Sequence, residues 1–347
     1  MASLPSFGHV HEVAYAYPDV LGLFKAAFGG ILQVIEGKLE FATFYKDTDP
    51  LATAILFAST LGVITFTLAE TVRNFSQVDR LWSILPAVYI FHYCYWARVN
   101  DIPSNRVDLA ATSVAVWSIR LTYNYWRKDG YKWSTEDYRW EVIRQHISKP
   151  AFFLFDLTFI SFYQNYLLLA ITTPAYLFLI IAKNFPHDAA ENAARIDTIF
   201  SRGMMLAVIL EFFADQQQWS FHQAKLAYKS SGRVPAGWDK DDLERGFLCT
   251  GLWAFSRHPN FAGEQLFWVL LYQWSAFSTD SVYNWAGLGA LFYLFLFQGS
   301  TWFTEKITAG KYKDYKIYKQ HVSMFLPRIQ AIKEGGFYFP GKEPKED

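Results

Sequence analysis

Apolar runs separated by polar stretches dominate the chain, and each long run predicts a helix that crosses a membrane. A helix needs about 20 apolar residues to cross the bilayer core, and seven runs approach that length. They cover residues 51–70, 81–97, 108–126, 152–182, 200–221, 261–278 and 285–304. Pro174 lies within the fourth run and predicts a kink or a split in that helix. The pattern therefore predicts an all-α, polytopic membrane protein with about seven transmembrane helices.

Two shorter segments flank the predicted spans. Residues 1–50 are mixed in polarity, are broken by Gly29-Gly30 and by residues 46–50, and predict one amphipathic helix around Val20 to Ile35. We therefore predict an N-terminal extension over residues 1–50, a membrane domain over residues 51–330 and a C-terminal tail over residues 331–347.

The distribution of basic residues predicts the orientation of the spans. Lys and Arg are concentrated in the loops after the first, third and fifth spans and in the segment that follows the seventh span, whereas the opposite loops hold few of them. By the positive-inside rule, loops rich in Lys and Arg face the cytosol. The C-terminus is therefore predicted to be cytosolic, in the endoplasmic reticulum of a eukaryote or in the plasma membrane of a bacterium.

Composition and spacing exclude several classes of function. The chain is 52% apolar and 19% aromatic with zero formal net charge, so no global field favours nucleic acid as a partner. The eight histidines do not form the H-x-x-H-H clusters of di-iron membrane enzymes, and the two cysteines form no metal box. No G-x-G-x-x-G turn follows a predicted strand. We therefore expect no metal site and no Rossmann domain.

Residues 251–264 place several polar groups directly before an apolar run. Pro259 suits the first turn of a helix, so a helix is predicted to begin near Asn260, and its N-terminus favours an anion. The planar guanidinium group of Arg257 can donate paired hydrogen bonds to a phosphate, and Gly263 would let a flat group approach the backbone. Polar residues within spans usually mark function. The alternative is an ordinary interfacial loop whose Arg and His side chains reach towards water.

This stretch, G-L-W-A-F-S-R-H-P-N-F-A-G-E, resembles the C-terminal signature of the steroid 5α-reductase superfamily. It looks like the signature of a branch of uncharacterised multi-span proteins, DUF1295-like, with the pattern G-L-W-x-x-[ST]-R-H-P-N-[YF]-x-G-E. Sterol reductases carry R-H-P-N-Y-x-G-D, and related methyltransferases share the core but lack the acid after the glycine. The resemblance covers residues 60 to 330 and implies a steroid 5α-reductase-like membrane fold that binds NADPH.

A stripe of polar residues lies in the fifth predicted span and its end. Glu211, Asp215, Gln218 and His222 recur at steps of four, three and four residues, so they share one helix face. Such a face contacts other parts of the protein or a water-filled cavity rather than lipid, which is consistent with a functional site. The alternative is a set of hydrogen bonds that only holds neighbouring helices together. By the resemblance, Asp215 and His222 occupy cofactor-binding positions, although the family usually has Arg or Lys where His222 stands.

The resemblance implies one cofactor site built from three parts of the chain. Glu305 matches the acidic residue of the reductase tail, and Tyr315 belongs to a segment that matches G-Y-x-x-Y. The implied NADPH-binding residues are Asp215, His222, Arg257, His258, Asn260, Gly263, Glu264, Glu305 and Tyr315.

Two earlier segments also resemble family motifs. Residues 73–82 look like the first-loop segment, and residues 136–139 resemble the E-D-x-R-Y box, with Trp140 in place of its Tyr. The alternative for both is a set of membrane-edge salt bridges and aromatic belts. Reduction of an enone needs a hydrogen-bond donor that polarises the carbonyl. The candidates for this catalytic role are Tyr123, Tyr138 and Asp79.

The leading hypothesis is an integral membrane, NADPH-dependent reductase of a carbon–carbon double bond in a steroid-like or other lipid enone. The substrate would lie between the first four spans and enter from the bilayer. A second hypothesis is an S-adenosylmethionine-dependent lipid or prenylcysteine methyltransferase, against which Glu264 and the Lys306 that follows Glu305 argue. A third is a non-catalytic lipid or sterol binder, for which the departures at His222 and Trp140 leave room.

Overall fold

The computed structural model describes residues 3–186 and 191–339, and over these residues the fold is helical. The α-helices are α1 (Glu12–Tyr15), α2 (Val20–Ile35), α3 (Phe41–Asp47), α4 (Pro50–Val72), α5 (Leu85–Val99), α6 (Asn105–Arg127), α7 (Tyr138–His146), α8 (Lys149–Phe155), α9 (Gln164–Ala170), α10 (Thr173–Asn184), α11 (Glu191–Ser231), α12 (Lys240–Arg245), α13 (Pro259–Ser278), α14 (Gly287–Lys311), α15 (Tyr315–His321) and α16 (Ile329–Lys333). A π-helix spans Asp156–Tyr163, and 3₁₀-helices span Asp79–Leu81 and Gly251–Ala254. The described residues contain no strand beyond one isolated bridge between Ser256 and Ser323. The all-α prediction is therefore confirmed, while residues 340–347 of the predicted tail lie outside the described residues.

Local signals explain where several helices begin and end. The carboxylate of Asp49 accepts a hydrogen bond from Leu51 N at 2.7 Å, and α4 begins at the intervening Pro50. The same helix ends where Arg73 adopts a left-handed conformation with φ of 54°. Helix α2 coincides with the predicted Val20–Ile35, and α13 begins at Pro259 as predicted.

Within the described part of the chain, two helical stretches are long and apolar enough to cross a bilayer, Pro50–Val72 and Lys149–Asn184. They coincide with the first and fourth predicted spans. Both are weak indicators of a membrane association, because the core helix of a soluble protein passes the same test. The other predicted spans are also helical, but α5 has only 15 residues and α6 carries several charged side chains. The seven-span topology is therefore not confirmed and stays a prediction.

The fourth predicted span is divided, as Pro174 led us to expect. Helix α8 continues into the π-helix Asp156–Tyr163 and then into α9. The chain turns at Ile171 and Thr172, and α10 starts afresh with Pro174 in its first turn. The break at Pro174 was predicted from the sequence, whereas the π-helix was not.

The chain forms two compact units. Unit 1 comprises Met1–Met204 and Trp268–Tyr293, and unit 2 comprises Met205–Phe267 and Leu294–Asp347. One apolar cluster of unit 1 contains Ala69, Phe75, Val78, Trp140, Phe152 and Ile160. Unit 2 has one cluster around Phe221, Leu243 and Trp253, and another around Phe247, Tyr315 and Tyr318. Each unit also holds a cluster of buried polar residues, and these clusters contain most of the predicted site residues.

Candidate functional site

In unit 2, the loop that precedes α13 is fixed to α11 by hydrogen bonds. Leu252 N donates to Gln217 Oε1 at 3.0 Å, and the indole of Trp253 donates to the carbonyl of Ala214 at 3.2 Å. Gly251 has φ of +63°, and a Cβ atom there would lie 2.8 Å from Gln217 Nε2. A glycine is needed at this position for both reasons.

The next residues of the loop pair with the chain beyond α15. Arg257 N donates to Ser323 O at 2.9 Å, and His258 N donates to Met324 O at 3.1 Å. The hydroxyl of Ser256 donates to Met324 O at 3.1 Å. The C-terminal segment therefore holds the backbone of the loop at the start of α13.

Glu305, on α14, is the fully buried centre of the charged cluster in unit 2. Its carboxylate accepts from Arg257 Nε at 2.6 Å and from Lys319 Nζ at 2.9 Å. His258 Nε2 lies 3.0 Å from Glu305 Oε1, and the hydroxyl of Tyr315 lies 3.5 Å from it. Burial alone would raise the pKa of Glu305, but hydrogen bonds from His258, Arg257 and Lys319 outweigh it and hold this pKa below its usual value. The residue is therefore a carboxylate at neutral pH.

The side chain of Arg257 links Glu305 to the backbone after α15. Its Nη2 donates to Glu305 Oε2 at 3.2 Å, and its Nη1 donates to Lys319 O at 3.2 Å and to Val322 O. These protein contacts engage all three guanidinium nitrogens, which makes Arg257 a structural link here. Its role as a phosphate ligand, expected from the sequence, stays a prediction.

Helices α11 and α13 approach each other closely at Gly263. A Cβ atom on Gly263 would lie 2.5 Å from Glu211 Cγ and 3.1 Å from the carbonyl oxygen of Ala207. Glu211 is fully buried. The direction that a side chain would take at Gly263 is thus filled by protein, so the glycine permits helix packing.

Next to this contact, the buried polar atoms are mainly acceptors. Asn260 Nδ2 donates to Asp215 Oδ1 at 3.1 Å. Asn260 Oδ1 is buried, and no donor within residues 3–186 and 191–339 reaches it. Asp215 and Glu264 are also buried. A ligand that offers N–H or O–H donors would suit this arrangement.

The predicted stripe on α11 changes from buried to exposed along the helix. Glu211 and Asp215 are buried, whereas His222 is exposed. Gln218 Nε2 lies 3.3 Å from His222 Nε2. The stripe therefore connects the buried polar cluster of unit 2 with the surface of that unit.

In unit 1, the structure brings together two segments that the sequence analysis treated separately. Phe75 N donates to Glu136 Oε1 at 2.8 Å, and Arg144 Nη2 donates to Glu136 Oε2 at 3.0 Å. The amide of Asn74 donates to Thr135 O at 3.1 Å. The first-loop segment and the E-D-x-R box therefore form one structure.

Asp79 lies within this structure. Its Oδ2 accepts a hydrogen bond from the indole of Trp140 at 2.9 Å. Asp137 N donates to Ser76 Oγ at 2.8 Å, and Asp137 pairs with Arg139 at 2.8 Å. Burial raises the pKa of Asp79, and the charge of Asp137 raises it further, against smaller opposing effects of Arg139, Trp140 and Ser76. Asp79 is thus a carboxyl group whose neutral form is favoured.

The two predicted catalytic tyrosines are among the exposed aromatic residues of unit 1. Tyr123 is 52% exposed and Tyr138 is 51% exposed. The sequence analysis missed Tyr125, a half-buried tyrosine on the same helix as Tyr123. Its ring packs where a Cβ atom of Gly130 would lie, 2.5 Å away. Gly130, just beyond the end of α6, was the sequence signal that could have indicated the packing of Tyr125.

The sequence analysis also missed Lys319, which joins Arg257 as a second cation on Glu305. It lies on α15, in a lysine-rich stretch of the chain. Because Glu305 and Lys319 belong to different helices, α14 and α15, only the fold reveals their contact.

Comparison with known proteins places the chain among proteins without an assigned function. The family described as "Protein of unknown function (DUF1295)" matches residues 65–323. An uncharacterised protein of Schizosaccharomyces pombe is 38% identical over 297 residues, which cover 85% of each chain. No solved structure matches the chain.

Proposed function

The chain belongs to the DUF1295 family, and from that premise we propose that it is an integral membrane reductase that uses NADPH. Its substrate would be the carbon–carbon double bond of a steroid-like or other lipid enone. The proposal includes the steroid 5α-reductase-like fold, about seven spans, an endoplasmic reticulum location and a cytosolic C-terminus. It rests on the resemblance of residues 251–264 and on the chemistry of the buried polar residues around them.

The observation that carries the proposal is the unsatisfied acceptor of Asn260. A buried amide oxygen without a donor is costly, and a ligand donor would relieve that cost. NADPH offers such donors in its carboxamide and its ribose hydroxyls. We therefore assign Asn260, Asp215 and Glu264 to direct cofactor contacts.

We assign the charged cluster around Glu305 a positioning role. Arg257, His258 and Tyr315 surround Glu305 and hold the loop before α13 in place. Gly263 would act in the same way, through the packing of α13 on α11. His222 is exposed, and we assign it to the cofactor phosphate.

The carbonyl-polarising role falls to Asp79 in its neutral form. NADPH supplies a hydride when bound, and a protein hydrogen-bond donor must stabilise the charge that develops on the carbonyl oxygen. A neutral carboxyl can donate while its other oxygen accepts from Trp140. Trp140, which replaces the Tyr of the family box, would position Asp79. Tyr125 is a second donor candidate, ahead of the exposed Tyr123 and Tyr138.

Transfer of label tests the reaction. The purified protein would be incubated with steroid-like and other lipid enones and with NADPH deuterated at the transferable position of the nicotinamide. We expect a reduced product that carries one deuterium, and Asp79→Asn should lower its yield. Transfer of a labelled methyl group from S-adenosylmethionine to a lipid would contradict the reductase and favour the methyltransferase. Binding of a lipid without conversion by either route would favour the non-catalytic binder.

A further inference from the structure

A line of buried polar residues runs along the apolar stretch Lys149–Asn184. We call Asp156, Ser161 and Asn165 the polar line. Asp156 and Asn165 are fully buried, and Ser161 is almost fully buried. Ser161 Oγ donates to Asp156 Oδ1 at 3.1 Å, and Asn165 Nδ2 donates to Ser161 O at 2.7 Å. The three residues thus form one hydrogen-bonded chain that the proposed reductase chemistry does not use.

The π-helix places these residues on one side. Asp156 and Ser161 are five positions apart, the spacing of the hydrogen bonds of a π-helix, and Asn165 follows one α-helical turn later. In an uninterrupted α-helix, a step of five would turn Asp156 away from Ser161. Short π-helical segments are found frequently at functional sites.

Helix α4 covers the polar line. Asn165 Nδ2 also donates to Thr65 Oγ1 at 3.2 Å, and Thr65 lies on α4. One turn earlier, a Cβ atom on Gly62 would lie 2.9 Å from the ring of Phe162. The polar line therefore faces the other apolar stretch of the chain and is shielded from solvent.

Two acceptor oxygens of the polar line lack donors. Asp156 Oδ2 and Asn165 Oδ1 are buried, and no donor from the described parts of the chain reaches either atom. An ionised carboxylate buried without a cation is very costly. Asp156 therefore requires a positive species from outside the chain.

We propose that the polar line binds a small cation from solution, either a proton or Na⁺, with Asp156 as its anionic ligand. The available atoms are all oxygens, from the carboxylate of Asp156, the hydroxyl of Ser161 and the amide of Asn165. Oxygen donors suit hard cations. Occupation neutralises Asp156 and stabilises the packing of α4 against the π-helix. The site is independent of the proposed reductase activity.

The test uses the purified full-length protein, with wild type compared to Asp156→Asn and Ser161→Ala. Thermal unfolding would be followed in NaCl and in choline chloride at equal ionic strength. The infrared carbonyl band of a protonated Asp would be recorded at neutral pH with ¹³C-labelled aspartate. Asp241→Asn removes an exposed carboxylate and serves as the matched control.

Each form of the cation gives its own signature. If Na⁺ binds, wild type unfolds at a higher temperature in NaCl than in choline chloride, and Asp156→Asn shows no such difference. Ser161→Ala then needs about fivefold more Na⁺ to reach the same stabilisation. If a proton binds, wild type shows no Na⁺ effect, and its protonated-Asp band contains a component that Asp156→Asn lacks and that Ser161→Ala shifts in frequency. Asp79 contributes a protonated band of its own, so this signature is read from the difference between the spectra of wild type and Asp156→Asn. Asp241→Asn should match wild type. The proposal would be overturned if wild type showed no Na⁺ effect and its protonated-Asp band equalled that of Asp156→Asn, or if an Na⁺ effect persisted in Asp156→Asn. If Asp156→Asn does not fold, a response of Ser161→Ala identical to wild type would overturn it.

Discussion

Arg257 and Glu305 form a two-pronged ion pair in the interior of unit 2, with Nε–Oε1 at 2.6 Å and Nη2–Oε2 at 3.2 Å. The two residues lie 48 positions apart, at the start of α13 and near the end of α14. Arg257 also holds the carbonyls of Lys319 and Val322. Arg257, the arginine of the R-H-P-N motif, thus joins three segments of the chain.

Loss of Arg257 should therefore destabilise the protein. Arg257→Ala leaves the buried Glu305 with fewer partners, and removal of one member of a buried ion pair costs about 3–5 kcal/mol. Chemical denaturation measures the loss in the free energy of unfolding. The exposed Arg328 is the matched control, because Arg328→Ala should change stability by less than about 0.5 kcal/mol. Equal effects of the two substitutions would contradict the structural role of Arg257.

Stability should fall in mild acid because of His258. Burial lowers the pKa of His258 from its ordinary value of 6.5, despite the opposing effect of Glu305. Between 6.5 and the lowered pKa, the unfolded chain binds the proton and the folded chain does not, so stability is lost as pH falls. His258→Gln keeps a donor for Glu305 and should reduce this loss, as measured by denaturation across pH.

His321→Gln is the control for the pH experiment, since His321 is exposed in the same unit. It should retain the wild-type pH profile. The pKa of Glu305 is lowered, so its contribution is present above its ordinary value of 4.5 and is lost only as pH falls below that value. If His258→Gln lost as much stability as wild type between pH 6.5 and 4.5, the assignment of this loss to His258 would be contradicted.

Gly263→Ala should destabilise unit 2 through its helix packing. The new methyl group would meet Glu211 Cγ and the carbonyl oxygen of Ala207, and overpacking of this kind costs about 1–3 kcal/mol. Gly299, within α14, has open space around its missing side chain, so Gly299→Ala should be neutral or stabilise by up to about 1 kcal/mol. Thermal unfolding of both variants checks the difference, and equal melting temperatures would exclude tight packing at Gly263.

Asn260→Leu should weaken NADPH binding. The substitution removes the buried acceptor of Asn260, and one hydrogen bond corresponds to about a tenfold rise in the dissociation constant. Glu264→Gln should act in the same direction. Gln320→Leu, at an exposed position, should bind as wild type does. Isothermal titration calorimetry on folded variants measures all three, and wild-type affinity in Asn260→Leu would remove this residue from the site.

The sequence predicted those features that depend on local signals. Pro259 and Pro174 each mark a helix start, because proline fits only the first turn of a helix. The polarity of residues 20–35 was enough to predict α2. The acidic residue of the tail, Glu305, was singled out by its resemblance to a family position, but its partners were not.

The rest depends on contacts between distant residues or on small changes in helix geometry. Nothing in the order of residues pairs Arg257 with Glu305 or places Asp79 against Trp140. The hydrogen bonds of a π-helix join residues five positions apart, against four in an α-helix, and an apolar pattern does not resolve this difference. Tyr125 is half-buried, whereas Tyr123, which the sequence favours, is exposed and lies on a different face of α6.

Ligand-induced stabilisation tests the central claim, that this chain has an NADPH site, most directly. The detergent-purified protein would be unfolded thermally with NADPH, NADH or S-adenosylmethionine, because a ligand that binds only the folded state raises its stability. We predict stabilisation by NADPH, by about 2.7 kcal/mol at one hundred times its dissociation constant. Stabilisation by S-adenosylmethionine alone, or by none of the three, would contradict the claim.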